Sequence, residues 1–285
     1  MTIKMTIARA LFGKHLAYFF QRKLNSKNLT DFAFDTAHTC SPNFLFIVGC
    51  GHSGTSILNK IIGTHQNVYP VGGESELFLS NIVEATDISD QINNWVEQAL
   101  LNEAKTILEK TPRHIHKVNL IRKFIPNARF IYITRNPLDC IASLHKRYDD
   151  LEASISRYHM DNFEGLLISR HSYVHRVKYE HLITDFDKTM NEIIKFARLP
   201  LEDLSNFHDQ KTFYDHNAIV NTEGYSAENH SAVRNFQVNQ PVFDSRGISA
   251  SSLTGEETSY VKSEVRFIAS LLGYKMPTTQ IAKSR

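Results

Sequence analysis

One stretch of this chain constrains its fold more than any other. Phe44 to Val48 is a short unbroken apolar run, followed at once by Gly49, Gly51 and Gly54 and then by a helical pattern through Ile57, Leu58, Ile61 and Ile62. An apolar run too short for a helix reads as a strand buried on both faces. Strand, glycine loop and helix in that order open an α/β domain built on a parallel sheet. Gly49-Cys50-Gly51-His52-Ser53-Gly54-Thr55-Ser56 keeps the spacing of a Walker A loop, except that Thr55 stands where the lysine should be. Such a loop aims backbone N–H groups and a helix N-terminus at a phosphate, and the hydroxyls of Ser53, Thr55 and Ser56 add donors. A nucleoside triphosphatase also needs that lysine and a carboxylate-supported magnesium ion. A nucleotide with a single 5′-phosphate bridge and no magnesium suits this loop better. Three glycines and three hydroxyl residues in eight positions make a bare strand-to-helix turn the poorer reading.

The pattern repeats further along. Arg129 to Thr134 predicts a second strand, and Asn136-Pro137 caps a helix with proline at its first position. Val174 to Lys178 predicts another strand, Asp187 to Ala197 an amphipathic helix, and Gly255 to Leu272 a closing helix. Alternating strands and helices predict a central parallel sheet flanked by helices. The irregular polar segment from Gln210 to Ser252 is expected to hold a loop or hairpin over the active site.

With 285 residues, 42% of them hydrophobic and 22% charged, the chain has ordinary globular composition and one main domain, 44–285. Residues 1–43 form an N-terminal helix and connector. Ala8, Leu11, Phe12, Leu16, Phe19 and Phe20 fall near one face of that helix, with Lys4, Lys14, Arg22 and Lys23 around it. The helix docks on its own domain, lies on an anionic membrane surface or is a targeting segment. Arg9, Lys14 and His15 interrupt its apolar residues, so the segment does not read as a membrane span. A formal net charge of +2 does not argue for nucleic acid, and anion binding must come from local placement of cations and N–H groups. Three cysteines, Cys40, Cys50 and Cys140, make no disulfide framework and point to a reducing, cytoplasmic compartment.

Arg135 follows directly on the second strand, and Ser143 and Arg147 lie four residues apart on the next helix, on one face. An arginine at a strand end and a serine on the next helix can grip one phosphate from two sides. Together these residues resemble a known family. The apolar strand with Gly51-His52-Ser53-Gly54-Thr55-Ser56 resembles the 5′-phosphosulfate-binding loop of sulfotransferases. Arg135-Asn136-Pro137 with Ser143 is similar to the family's 3′-phosphate element, and Val177-Lys178-Tyr179-Glu180-His181-Leu182 to the tyrosine-containing strand end after it. The resemblance covers Phe44 to Pro200. It implies a P-loop NTPase-like sulfotransferase fold and phosphoadenosine phosphosulfate (PAPS) as sulfate donor, with no metal. Gly51, His52, Ser53, Gly54, Thr55, Ser56, Arg135, Ser143, Arg147 and Tyr179 would bind the donor. Many members carry Lys or Arg where His52 stands, which leaves a weaker, pH-dependent cation at that position. Arg234 is the counterpart of the basic loop that closes over the nucleotide.

Sulfuryl transfer to a hydroxyl needs a base for the acceptor proton and cations for charge building on the leaving phosphate. Tyr69 to Phe78 looks like the Gly-Glu-Thr segment of tyrosylprotein and some carbohydrate sulfotransferases, which implies Glu74 as base, with Glu76 as the alternative. Both could instead be solvated residues at the start of a helix beginning near Ser75. Lys110, in Glu109-Lys110-Thr111-Pro112, matches the family's lysine on the bridging oxygen or sulfonate. His114 and His116 lack a third ligand at metal-site spacing and read as loop residues. Cys50 and Cys140 are expected to fill small apolar spaces near the nucleotide. The acceptor is a hydroxyl of a carbohydrate, lipid, small metabolite or protein tyrosine. The rival functions are a P-loop small-molecule kinase, which would carry a lysine at position 55, and a non-catalytic nucleotide-binding module, which would lack Glu74 and Lys110.

Overall fold

The structure, a computed structural model, describes residues 42–79, 85–200, 247 and 249–276. The N-terminal helix, most of the connector, and the Gln210–Ser252 segment up to Arg246, with Arg234, lie outside the described residues.

Five parallel strands form one sheet in the order β2-β3-β1-β4-β5. They are β1 (Asn43–Gly49), β2 (Val68–Pro70), β3 (Thr106–Lys110), β4 (Arg129–Thr134) and β5 (Val174–Lys178). β1 is central, with Phe46 opposite Glu109 of β3 and Phe130 of β4. The helices are α1 (Thr55–Gly63), α2 (Ala85–Leu101), α3 (Val118–Phe124), α4 (Pro137–Tyr148), α5 (Leu151–Ile168), α6 (Tyr179–Thr184), α7 (Phe186–Ala197), α8 (Ser249–Ser252) and α9 (Gly255–Leu272). A 3-10 turn, Pro112–Lys117, leads from β3 into α3.

Alternation along the strands divides the core between the two faces of the sheet. Phe44, Phe46, Val48, Phe130 and Tyr132 point to one face, where they pack with Ile115, Ile141, Ile155, Val265 and Ile268. Leu45, Ile47, Ile131 and Ile133 point to the other and meet Leu58, Ile61 and Ile62 of α1 and Met190, Ile193 and Ile194 of α7. A strand buried on both faces needs apolar residues at every position, which is why β1 and β4 read as unbroken runs.

Local chemistry sets the helix ends. Asn136 caps α4 by accepting from the Leu138 amide, with Pro137 at the first turn. Thr254 and Glu257 form a reciprocal capping box at the start of α9, which ends on Gly273 in the left-handed region, φ 77°. Asp139, 4% exposed, accepts from the amides of Gly247 and Ser249 and so anchors α8 onto α4. The predicted strands at Arg129–Thr134 and Val174–Lys178 and the helix at Gly255–Leu272 appear with those bounds.

Two departures matter for the site. Glu74 and Ser75 begin no helix: residues 71–76 have no regular structure, a turn occupies 77–79, and α2 starts at Ala85. Residues after Pro112 form the 3-10 turn rather than an irregular loop. Among the described residues no helix is long and apolar enough to cross a membrane.

Because β3 lies on one side of β1 and β4 on the other, the chain reverses its direction of sheet growth at β1. A crevice opens at the carboxyl ends of strands at such a switch point, and ligands bind there. The glycine loop and Arg135 leave the sheet at that edge.

Candidate active site

The glycine loop is shaped by backbone constraints that only glycine meets at two positions. Gly49 ends β1 at φ 149°, and a Cβ there would stand 2.5 Å from the Ile133 carbonyl of β4. Gly54 precedes α1 at φ 96°, and a Cβ would stand 2.5 Å from the Tyr179 ring. Between them the Ser53 amide donates to the Cys50 carbonyl at 3.2 Å, and His52 adopts a left-handed φ of 66°. Successive turns of this kind form a concave row of N–H groups at a helix N-terminus, with the positive end of the helix dipole behind it. Thr55 is buried in the first turn of α1, and Ser56 is half-buried beside it.

The second strand–helix unit closes on this loop. Arg135, 7% exposed, reaches back from the end of β4, and its Nη1 donates to the His52 carbonyl at 3.1 Å. Its guanidinium lies over the Tyr179 ring, 4.8 Å from the centroid. Ser143 of α4 pairs with His52: Nδ1 and Oγ are 2.7 Å apart. Thus His52, Gly54, Arg135, Ser143 and Tyr179 meet in one cluster. Arg147, one turn beyond Ser143, is exposed, with its guanidinium 5.2 Å from the Tyr148 ring centre. Cys50 and Cys140 are both free and buried, as expected, and Cys140 Sγ donates to the Gly51 carbonyl at 3.4 Å. Burial pushes the Cys50 thiol well above its ordinary pKa.

At the other end of the crevice, Lys110 Nζ donates to Glu74 Oε1 at 2.9 Å, with the side chains 6% and 14% exposed. The pair joins the end of β3 to the irregular segment after β2. Glu76 points elsewhere: it is exposed, sits at a left-handed φ of 53°, and uses its backbone amide to donate to Thr111 Oγ1.

Glu109, which the sequence did not single out, organises this end. It is 1% exposed, and its Oε1 accepts from Ser75 Oγ at 2.8 Å and Thr111 Oγ1 at 2.6 Å. His114 Nδ1 lies 3.0 Å from Oε2, and His114 Nε2 accepts from the Phe78 amide at 3.3 Å. An accepting Nε2 selects the imidazole tautomer whose proton is on Nδ1, donating to Glu109. Burial raises the Glu109 pKa, but hydrogen bonds from His114, Thr111 and Ser75 outweigh it and hold the carboxyl below its ordinary value. His114 and His116 do not converge, since His116 Nε2 lies 2.6 Å from Asp161 Oδ1. Glu180 is a comparable latch near Arg135, accepting from the Asn136 amide and the Tyr274 hydroxyl. Only a strand-end acidic residue preceding a lysine, or flanking a tyrosine, hinted at either carboxylate.

Residues 80–203 match the model of the Sulfotransferase family. The sulfotransferase domain of the Synechococcus PCC 7002 olefin synthase has the same fold: TM-score 0.58 at 17% identity, covering 86% of this chain and 99% of that one. The match marks the middle of the chain, less than half of its length, as similar to that family. Within that fold the chain also superposes on a mouse sulfotransferase complexed with PAP, TM-score 0.53 at 17% identity over 82% of this chain and 89% of that one. A sulfotransferase of Mycobacterium avium gives TM-score 0.51 at 12% identity over 96% and 97% of the two chains. An uncharacterized Aquifex aeolicus protein is 24% identical over 199 residues, 56% of this chain and 26% of that protein. The chain therefore spans about a quarter of the length of this curated relative. The family match takes in Lys110, Arg135, Ser143 and Tyr179, while the glycine loop and Glu74 precede it. The chain shares the fold of these sulfotransferases.

Proposed function

We propose that this chain is a sulfotransferase that takes its sulfuryl group from PAPS and passes it to an acceptor hydroxyl, with Glu74 as general base and Lys110 as the leaving-group cation. The observation that carries the reading is the junction of the two half-sites, in which His52 of the glycine loop is tied both to Arg135 and to Ser143. A ligand held by the loop through one phosphate and by Arg135 and Ser143 through another needs two phosphates on one nucleoside, as adenosine 3′,5′-bisphosphate has. The two glycines that admit no Cβ let the loop pack directly against β4 and the Tyr179 ring, which fixes the loop backbone beside Arg135. The mouse protein in complex with PAP supports the same class of nucleotide.

In the proposed reaction the acceptor oxygen attacks sulfur in line, and the bond from sulfur to the bridging oxygen of the 5′-phosphate breaks. Glu74 takes the hydroxyl proton, and adenosine 3′,5′-bisphosphate leaves with its new negative charge near Lys110 and the loop amides. The ion pair sets both groups at one point of the crevice, so the base and the cation share the transferring group. Calorimetric titration with adenosine 3′,5′-bisphosphate in the absence of magnesium tests the donor. Tight binding, and weak binding of ATP with magnesium, is expected; the reverse order would return the kinase reading. Transfer of labelled sulfate from PAPS to a panel of carbohydrate, lipid, small-metabolite and tyrosyl hydroxyls then identifies the acceptor class.

A further inference from the structure

Arg157 of α5 stands against the glycine loop, far from it in sequence. If Gly51 carried a Cβ, that atom would lie 2.9 Å from Arg157 Nη2. Three elements fix the guanidinium in that place. Its Nη1 donates to the Tyr148 hydroxyl at the end of α4, and its Nε lies 3.5 Å from Asp161 Oδ2 one turn along α5. Asp161 is 2% exposed, and its other oxygen takes His116 from the 3-10 turn after β3. The nitrogen nearest the loop, Nη2, makes no hydrogen bond among the described residues. The Arg157 side chain keeps 26% of its surface exposed, so it is neither sealed in the core nor free in solvent.

Electrostatics gives this placement a purpose. The loop has Thr55 in the lysine position, and within Gly49–Ser56 His52 is the basic side chain, so no lysine or arginine of the loop itself offers a permanent charge to an anion. An arginine stays charged at any working pH and presents several donors in a rigid plane. Burial opposes that charge, but Asp161 more than offsets the opposition and holds the proton above the ordinary arginine value.

We propose that Arg157 is the fixed cation of the glycine loop, placed by Asp161 and Tyr148 to bind the 5′-phosphosulfate end of the donor. The assignment rests on the PAPS reading above. Arg135 would serve the 3′-phosphate and Arg157 the 5′ side, so two arginines from different helical units would divide the nucleotide between them. Asp161 and His116 are positioning residues, since they act through the guanidinium.

Binding of adenosine 5′-phosphate, adenosine 3′-phosphate and adenosine 3′,5′-bisphosphate to the full chain tests this. Arg157→Gln should weaken the 5′-phosphate and the bisphosphate by roughly 10- to 100-fold, the size of a charge-assisted hydrogen bond, and leave the 3′-phosphate within about twofold. Because Arg157→Gln leaves Asp161 without its arginine, the double variant Arg157→Gln with Asp161→Asn removes both charges and should show the same selective loss. Arg157→Lys should recover most of the affinity for the 5′-phosphate, and Gly51→Ala should mimic a mild Arg157 defect by pushing Nη2 aside. Unchanged 5′-phosphate affinity in the double variant would overturn the assignment, as would equal losses for the two monophosphates. If the parent protein binds the bisphosphate and the variants do too, only Arg157 is misassigned. If the parent binds none of the three nucleotides, the donor reading and this one fall together.

Discussion

The two ends of the crevice are built from different materials. The donor cradle is a backbone object: Gly49 and Gly54 occupy conformations and spaces closed to any side chain, with Ile133 of β4 and the Tyr179 ring pressed against them. The Glu74 arm is a side-chain object. Gly72 and Gly73 have open space around them, with no heavy atom within 4 Å of the position a Cβ would take. The arm is instead fastened to the sheet by bonds that run to Glu109, Thr111 and His114. A cradle held by sterics is preorganised before any ligand arrives and tolerates changes in polarity better than changes in size. An arm suspended from one buried carboxylate should fail when that carboxylate is altered, however distant the change is from the reacting atoms.

The comparison is most exposed at Glu74, where the largest effect is expected. Glu74→Gln should lower turnover by about two to four orders of magnitude, the usual worth of a positioned general base, and leave affinity for adenosine 3′,5′-bisphosphate unchanged. A parallel loss of nucleotide binding would show that arm and cradle are one unit. Glu109→Gln comes next. It trades an ionised acceptor of several bonds for a neutral one, and should cost on the order of 2 to 3 kcal/mol of folding stability in a denaturant titration. It should also reduce kcat, by loosening Ser75 beside Glu74, with little change in nucleotide affinity.

The acid dependence of the parent protein checks the same group. The folded-state pKa of Glu109 is depressed, so its contribution is complete above the unfolded carboxyl value, about pH 4.3, and is lost as pH falls through the lower folded value. The stability gap between parent and Glu109→Gln should therefore narrow below about pH 4. A gap that widens on acidification would mean that Glu109 is protonated in the fold.

The same division explains what was legible in the sequence. The cradle could be read because glycine spacing, an unbroken apolar strand and a strand-end arginine are local signals, and local signals set backbone form. The fold followed from them, with β4, β5 and α9 predicted at their observed bounds. The arm was read for its residues but not for its form. Glu74 and Ser75 could be read as a helix start, and the irregular course follows tertiary bonds to Glu109, whose position 34 residues later leaves no local trace. Arg157 was invisible for the same reason: it approaches Gly51 only because α5 packs beside the 3-10 turn and the end of β1. His114 and His116, a pair in sequence, part company in space because each turns to a different buried carboxylate.

Smaller effects sharpen the boundary between the two ends. Arg135→Ala should weaken adenosine 3′,5′-bisphosphate by about 1.5 to 3 kcal/mol, since a charged partner of the 3′-phosphate is lost. Adenosine 5′-phosphate should weaken only a few-fold, the remnant of the Arg135 bond to the His52 carbonyl. Equal losses in calorimetry would remove Arg135 from the 3′ side.

The smallest effect is expected at Glu76. Its side chain is exposed, and what holds the arm at this residue is its backbone amide on Thr111, which a side-chain substitution leaves in place. Glu76→Gln should therefore change turnover by less than about twofold, the range of surface substitutions. The contrast with Glu74→Gln carries the information, because the two carboxylates are two residues apart in the chain, yet Glu74 is largely covered and meets Lys110 at 2.9 Å while Glu76 is exposed. If Glu76→Gln were the deeper defect and Glu74→Gln stayed active, the arm would have to shift by two residues in the working enzyme. Ser75 would then leave Glu109, and Glu109→Gln would accelerate turnover where the present arrangement requires it to slow.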